Sequence, residues 1–272
     1  MEIDGQAGYF STRRQNTVTV VRGLNLPAED WRKLLERFGP SLALWRAAEI
    51  AILRKQAFEP PVLDLGCGDG EVTGMVLRQV EFGVDPWPKA LEAAARRGIY
   101  KELVGSTIEN NPLPPSSIST VLANSVLEHL EGLENVLRDT AKLLKPGGRL
   151  IMTVPGENFS RWLLLPLPAY STWRNRSLIH LNLWPEKRWR EELSRAGFEV
   201  ELVEPYLSHK LVTVWDALEL LQQVWIFNKR PFGMLWKGLP SSTLDLIAGK
   251  MARLDLSASG AGGGYLIVAR KV

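Results

Sequence analysis

Five places in this chain hold residues whose types and spacing could do chemistry. The first is Val62–Gly70, VLDLGCGDG, an apolar run that carries an acid, Asp64, and ends in alternate glycines, Gly66, Gly68 and Gly70. Glycines that follow a strand let the backbone approach a ligand closely, and the helix that follows offers free N–H groups. The second is Asp85, 21 residues beyond Asp64, where a carboxylate at a strand end reaches ribose hydroxyls. The third is Gly105-Ser106-Thr107-Ile108, and the fourth is Asn124-Ser125 at the end of another apolar run. The fifth comprises His129 and His180, since imidazole is the side chain suited to take a proton near neutral pH.

The glycine spacing is G-x-G-x-G rather than the G-x-G-x-x-G of dinucleotide loops. A carboxylate at Asp64 repels a pyrophosphate and attracts a cation. Together with Asp85 these features describe an adenosine with a cationic amino-acid tail and no phosphate, which is S-adenosylmethionine (SAM). The motifs that follow in order are FGVDPW (Phe82–Trp87), PLPPSSISTVLANSVLEHL (Pro112–Leu130), LLKPGGRLIMTVP (Leu143–Pro155) and WREELSRAGFEV (Trp189–Val200). With VLDLGCGDG they resemble the class I SAM-dependent methyltransferases of the type 11 group, which includes ubiquinone/menaquinone-type methyltransferases. The resemblance covers roughly residues 60–200.

It implies SAM as cofactor, held by Asp64, Gly66, Cys67, Gly68, Gly70, Asp85, Pro86, Ser106, Thr107, Ile108, Asn124 and Ser125. Cys67 is expected to contribute its backbone rather than its thiol. Two departures stand out: Ser106-Thr107 replaces the acid that relatives direct at the adenine, and Ser119 replaces an acid near the fourth strand. His129 and His180 are the candidate catalytic bases. For His129 the competing reading is that the Glu128-His129 pair orients a helix start.

The elements that must position these residues alternate. Strands are expected at Val62–Leu65, Val80–Asp85, Tyr100–Val104, Ile118–Ala123, Arg149–Val154, Phe198–Val203 and Tyr265–Val272, with helices at Glu71–Arg78, Lys89–Arg97, about Leu130–Leu144 and from Trp184-Pro185-Glu186 to Ala196. Strand–helix alternation implies a parallel sheet covered on both faces. The fold class is therefore α/β: a Rossmann-like, doubly wound, seven-stranded, mostly parallel sheet with helical cap insertions. Residues 1–58 read as an N-terminal arm and helices, one from Pro27 to Phe38 and one from about Ser41 to Ala57, with a short β-like patch at Thr17–Val21. Residues 59–272 read as the SAM-binding domain, with inserts at about 156–184 and 207–260.

The two inserts are basic and hold most of the ten tryptophans, whereas the whole chain carries a net charge of +3. They are expected to cover a small or lipid-linked acceptor, methylated on oxygen, with peripheral membrane contact as a further expectation and plain helical packing as the competing one. No nucleic-acid partner is expected, because the cations form no stripe. A single cysteine excludes an internal disulfide and a multi-cysteine metal site, and no metal is expected. A cytoplasmic location is expected from the lone cysteine and the absence of an apolar leader. The rival functions are a non-catalytic subunit that keeps the SAM fold and a nicotinamide oxidoreductase.

Overall fold

The computed structural model describes residues 23–224 and 229–272. The expected patch at Thr17–Val21 and the Trp225 of the second insert lie outside these residues. Seven strands, β1 (Val62–Leu65), β2 (Val80–Val84), β3 (Tyr100–Val104), β4 (Ile118–Asn124), β5 (Leu144–Pro155), β6 (Phe198–Tyr206) and β7 (Gly264–Lys271), form one sheet in the order β3-β2-β1-β4-β5-β7-β6. The first five pair in parallel; β7 runs antiparallel to both β5 and β6. The order reverses between β1 and β4, and at such a switch point the diverging connections leave a crevice at the carboxyl ends of the strands.

The central strands are apolar on both sides because both faces are covered. In β4, Val121 and Ala123 pack into one core and Leu122 into the other, as the period-2 alternation of a strand requires. One core holds α4 (Leu133–Leu143) and α6 (Glu186–Arg195); the other holds α1 (Ala28–Leu53), α7 (His209–Gln223) and α9 (Ser241–Met251). Backbone geometry leaves the helical region at Gly39 (φ 75°) and resumes at Pro40, so α1 comprises the two expected N-terminal helices meeting at a kink, the second ending at Leu53 rather than Ala57. The helix at Glu71 stops at Val76, and β5, expected from Arg149, already begins at Leu144, which is paired to Ile118 across an irregularity.

The first insert contributes α5 (Pro168–Ser177), which is fastened to α7 by a fully buried ion pair between Arg174 and Asp216 at 2.7 Å. Asp216 also accepts from Tyr170 Oη (2.6 Å) and the Leu164 N–H (3.0 Å), so its charge is well compensated. The guanidinium lies 5.6 Å from the ring centres of both Trp173 and Trp215, an aromatic setting that suits a desolvated cation. Breaking such a pair by removing one partner costs about 3–5 kcal/mol, because the other charge is left buried alone. The pair thus fastens the two inserts to each other.

Candidate active site

Three cavities run along the carboxyl ends of the strands. The first, about 240 Å³, is lined by Gly66, Pro86, Ser106, Thr107 and Ile108 together with apolar neighbours such as Val126. The second, about 170 Å³, is lined by Asp64, Gly66, Cys67, Gly68, Asn124 and Ser125, with Arg46 at its side. The third, about 130 Å³, is lined by Arg46, Ser125, Glu128, His129, His180 and Trp215. Gly66 is shared by the first two, and Leu42, Arg46 and Ser125 by the last two. A larger cavity of about 560 Å³ lies between α1, α7 and α8 (Pro231–Lys237) and contains none of the sequence-predicted residues.

The glycine loop has the conformation its composition permits. Gly66 (φ 66°) has no room for a side chain: a Cβ there would lie 2.6 Å from Val126 Cγ2. Gly68 (φ 54°) differs, since a Cβ would meet nothing within 4 Å. Its bare backbone therefore faces open space in the second cavity. Gly70 caps α2 (Glu71–Val76) and lies beneath Tyr100 and Arg97, not at a cavity wall. Cys67 is buried, and burial pushes its thiol well above the ordinary range, which makes it a poor nucleophile.

Asp85 is buried and shapes this loop: its two oxygens accept from the Gly68 and Trp87 N–H groups, both at 2.9 Å. Each oxygen keeps lone-pair capacity for a hydroxyl. Asp64, also buried, accepts from Thr73 Oγ1 and Tyr100 Oη, both at 2.6 Å. Burial raises its pKa to about 6, with the charge of Asp85 adding to the effect and the two hydrogen bonds opposing it. A cation placed beside Asp64 would restore its full charge.

Beneath the second and third cavities lies a group that the sequence reading missed. Glu49 on α1 is fully buried and accepts from Trp45 Nε1 (2.9 Å), Arg46 Nη1 (2.6 Å), Asn124 Nδ2 (3.2 Å) and Ser125 Oγ. Thr153 on β5 donates to Asn124 Oδ1 (2.8 Å) and accepts from the Ser125 N–H (3.0 Å), which steadies Ser125 at φ 51°. The available signal was an acid at helical spacing within the apolar face of α1, four residues from Trp45.

The two histidines, 51 positions apart, are brought together by the first insert. Asn182 Nδ2 donates to the carbonyls of Leu127 (2.8 Å) and Leu130 (2.7 Å), and the Leu181 and Asn182 N–H groups donate to the Glu128 carbonyl. The ring centres of His129 and His180 are then 5.5 Å apart. His129 Nδ1 lies 2.9 Å from the Ile179 carbonyl. A carbonyl only accepts, so Nδ1 carries the proton and Nε2 keeps its lone pair, 3.7 Å from Glu128 Oε1. Burial pushes Glu128 up to about 8, with the charge of Glu49 adding to the effect, and pushes His180 down to about 3.

These residues fit SAM. An apolar slot suits an adenine, Asp85 a ribose, Asp64 an ammonium or sulfonium, and Arg46 a carboxylate, while the open space above Gly68 leaves the backbone accessible. Residues 63–152 match the family described as a methyltransferase domain. The ubiquinone biosynthesis O-methyltransferase of Yersinia pestis (strain Pestoides F) is 32% identical over 119 residues, covering 41% of this chain and 49% of that protein. The protein of the same description from Yersinia pseudotuberculosis serotype O:3 (strain YPIII) matches to the same extent. The chain thus spans about half the length of these curated relatives. A SAM-dependent methyltransferase of Thermotoga maritima superposes with a TM-score of 0.57 at 18% identity, covering 89% of this chain and 100% of that one. An S-adenosylmethionine-dependent methyltransferase from Mesorhizobium loti gives 0.51 at 19%, covering 84% and 100%; both show the shared fold. Residues 63–152 thus carry a methyltransferase domain, and the glycine loop and mostly parallel seven-stranded sheet give it the class I SAM-dependent fold.

Proposed function

We propose that this protein transfers a methyl group from SAM to an oxygen of a small or lipid-linked organic acceptor. The observation that carries the proposal is the chain of three cavities. One wall residue, Gly66, joins a slot fit for adenosine to a polar cavity fit for the methionine tail. Three more, Leu42, Arg46 and Ser125, join that cavity to a third lined by two histidines. When bound, SAM supplies a sulfonium-activated methyl whose bonding electron pair returns to sulfur as the acceptor oxygen takes the carbon. The protein's part is to position the two partners and remove a proton.

Asp85 accepts from the ribose hydroxyls, Asp64 faces the cationic tail, and Arg46, held by Glu49, pairs with the tail's carboxylate. The aromatic rings of Trp45, Phe159 and Trp215 wall the third cavity, and their apolar faces exclude water from the reacting atoms. The Nε2 lone pair of His129, fixed by the Nδ1 contact to Ile179, takes the acceptor's proton. The O-methyltransferase description of the Yersinia relatives supports oxygen as the acceptor atom.

Contact with a membrane surface is part of the same reading. Leu165, Leu167, Trp173, Ile179 and Leu181 are exposed on the first insert, beside the exposed Arg161 and Arg176. Apolar side chains interleaved with cations suit an anionic lipid surface, from which a greasy acceptor could enter. Among the described residues no helix is long and apolar enough to cross a membrane. Incubating the protein with methyl-labelled SAM and cell metabolite and lipid extracts tests the activity. An alkali-stable labelled ether in the lipid or small-molecule fraction is expected; label found on no product would contradict it.

A further inference from the structure

We propose that Glu128, His129 and His180 form a binding site for a divalent transition-metal ion of the zinc type in the wall of the acceptor cavity. The proposal deepens the reading of that cavity and rests on it. One ligand atom from each of the three residues lies within 4.8 Å of the other two. Among the described residues no other group of three or more histidines, cysteines or acids brings its donors this close. A four-coordinate zinc places its donors roughly 3.3 Å apart, so small side-chain rotations close the set.

Three features of the donor set suit a cation. Glu128 is 1% exposed, and its Oε2 has no hydrogen-bond partner; a buried carboxylate oxygen left without a partner is costly. His180 Nδ1 is likewise buried without a partner. Finally, the Nδ1 contact of His129 to the Ile179 carbonyl, at 2.9 Å, is the outer hydrogen bond that typically orients a metal-binding imidazole and leaves Nε2 free to coordinate. The neighbouring positive charge of Arg46 is offset by Glu49 at 2.6 Å.

Two imidazoles and one carboxylate leave an open position, as catalytic zinc sites do. That position faces the cavity where the acceptor sits. An acceptor hydroxyl placed there loses its proton to water: the O–H bond breaks, its electron pair stays on oxygen, and the ion stabilises the resulting anion. In this state the Nε2 lone pair of His129 is committed to the ion, so the ion takes over the proton-removing task.

The test is titration of chelator-stripped full-length protein with Zn²⁺ by calorimetry and with Co²⁺ by visible absorption. One ion per chain is expected, with the intense ligand-field bands of a low-coordinate Co²⁺ site. His129→Gln and His180→Gln should each weaken binding by about tenfold or more. His129 is half-exposed, so its replacement leaves the fold intact even if the His180 variant is unstable. Absence of a stoichiometric site, or Zn²⁺ affinity unchanged in His129→Gln, overturns the proposal. S-adenosylhomocysteine binding by the stripped protein, measured in parallel, reports the cofactor site alone. Its loss would count against the methyltransferase reading, while the metal titration still decides the ion site.

Discussion

Asp64 has opposite consequences for stability and for binding. Its pKa rises from 3.8 to about 6 in the folded chain, chiefly through burial. The unfolded chain therefore ionises first, and the contribution of this group to stability falls as pH rises from about 4 through 6. A cationic ligand needs the ionised form, so SAM affinity should increase over the same upper range, from pH 5 to 7. Asp64→Asn keeps an oxygen for Thr73 and Tyr100 but removes the charge. We expect it to melt at or above the wild-type temperature at pH 7. Its affinity for SAM should fall about tenfold to a hundredfold, the worth of a hydrogen bond to a charged group, with no pH dependence between 5 and 7. Thermal melts and calorimetry at the two pH values check both parts; a wild-type affinity flat across pH 6 would contradict the assigned role. The loop glycines differ in the same informative way. Gly66→Ala meets Val126 and should destabilise the fold. Gly68→Ala has open space around it, so beyond about 1 kcal/mol of backbone strain its effect should fall on cofactor binding.

At the scale of elements, α1 connects the cap to the floor of the site. Glu49 holds Arg46 at the cavity wall and anchors Asn124 and Ser125 at the end of β4. Glu49→Gln leaves Arg46 without its partner and should cost about 3 kcal/mol in denaturant unfolding, with weaker S-adenosylhomocysteine binding. Unchanged unfolding would show the pair to be dispensable. Strand–helix alternation made the sheet legible in the sequence, and Val62–Leu65 has the expected bounds and is buried throughout, because apolar runs between turn signals report burial on both faces. The glycine loop and Asp85 were legible for a similar reason: local spacing is enough to place them. Glu49, Thr73, Tyr100 and Arg46 were not, because they reach the site from three separate elements, α1, α2 and β3, and only tertiary packing shows which face of α1 meets β4. The pairing of His129 with His180 depends on the Asn182 clamp across the first insert, a long-range contact that no local pattern encodes.

For the whole molecule, the cap formed by the two inserts walls the third cavity through Phe159, Leu178, His180 and Trp215. Its buried Arg174–Asp216 pair fixes α5 against α7, while the exposed face of the same insert carries Leu167 and Trp173. Sedimentation with vesicles rich in anionic lipid should bring the protein down at low salt and release it at high salt. Leu167→Glu combined with Trp173→Glu should reduce the bound fraction several-fold with unchanged circular dichroism; protein that stays in the supernatant throughout would remove membrane contact from the account. The central claim is that the row of cavities is one cofactor-and-acceptor site, and its first requirement is cofactor binding at the glycine loop. Calorimetric titration with S-adenosylhomocysteine tests this most directly. We predict one molecule bound per chain, with binding weakened at least about tenfold in Asp85→Ala, which removes the ribose acceptor and the anchor of the Gly68 N–H. No binding by the wild-type chain, or equal binding by the variant, would contradict it.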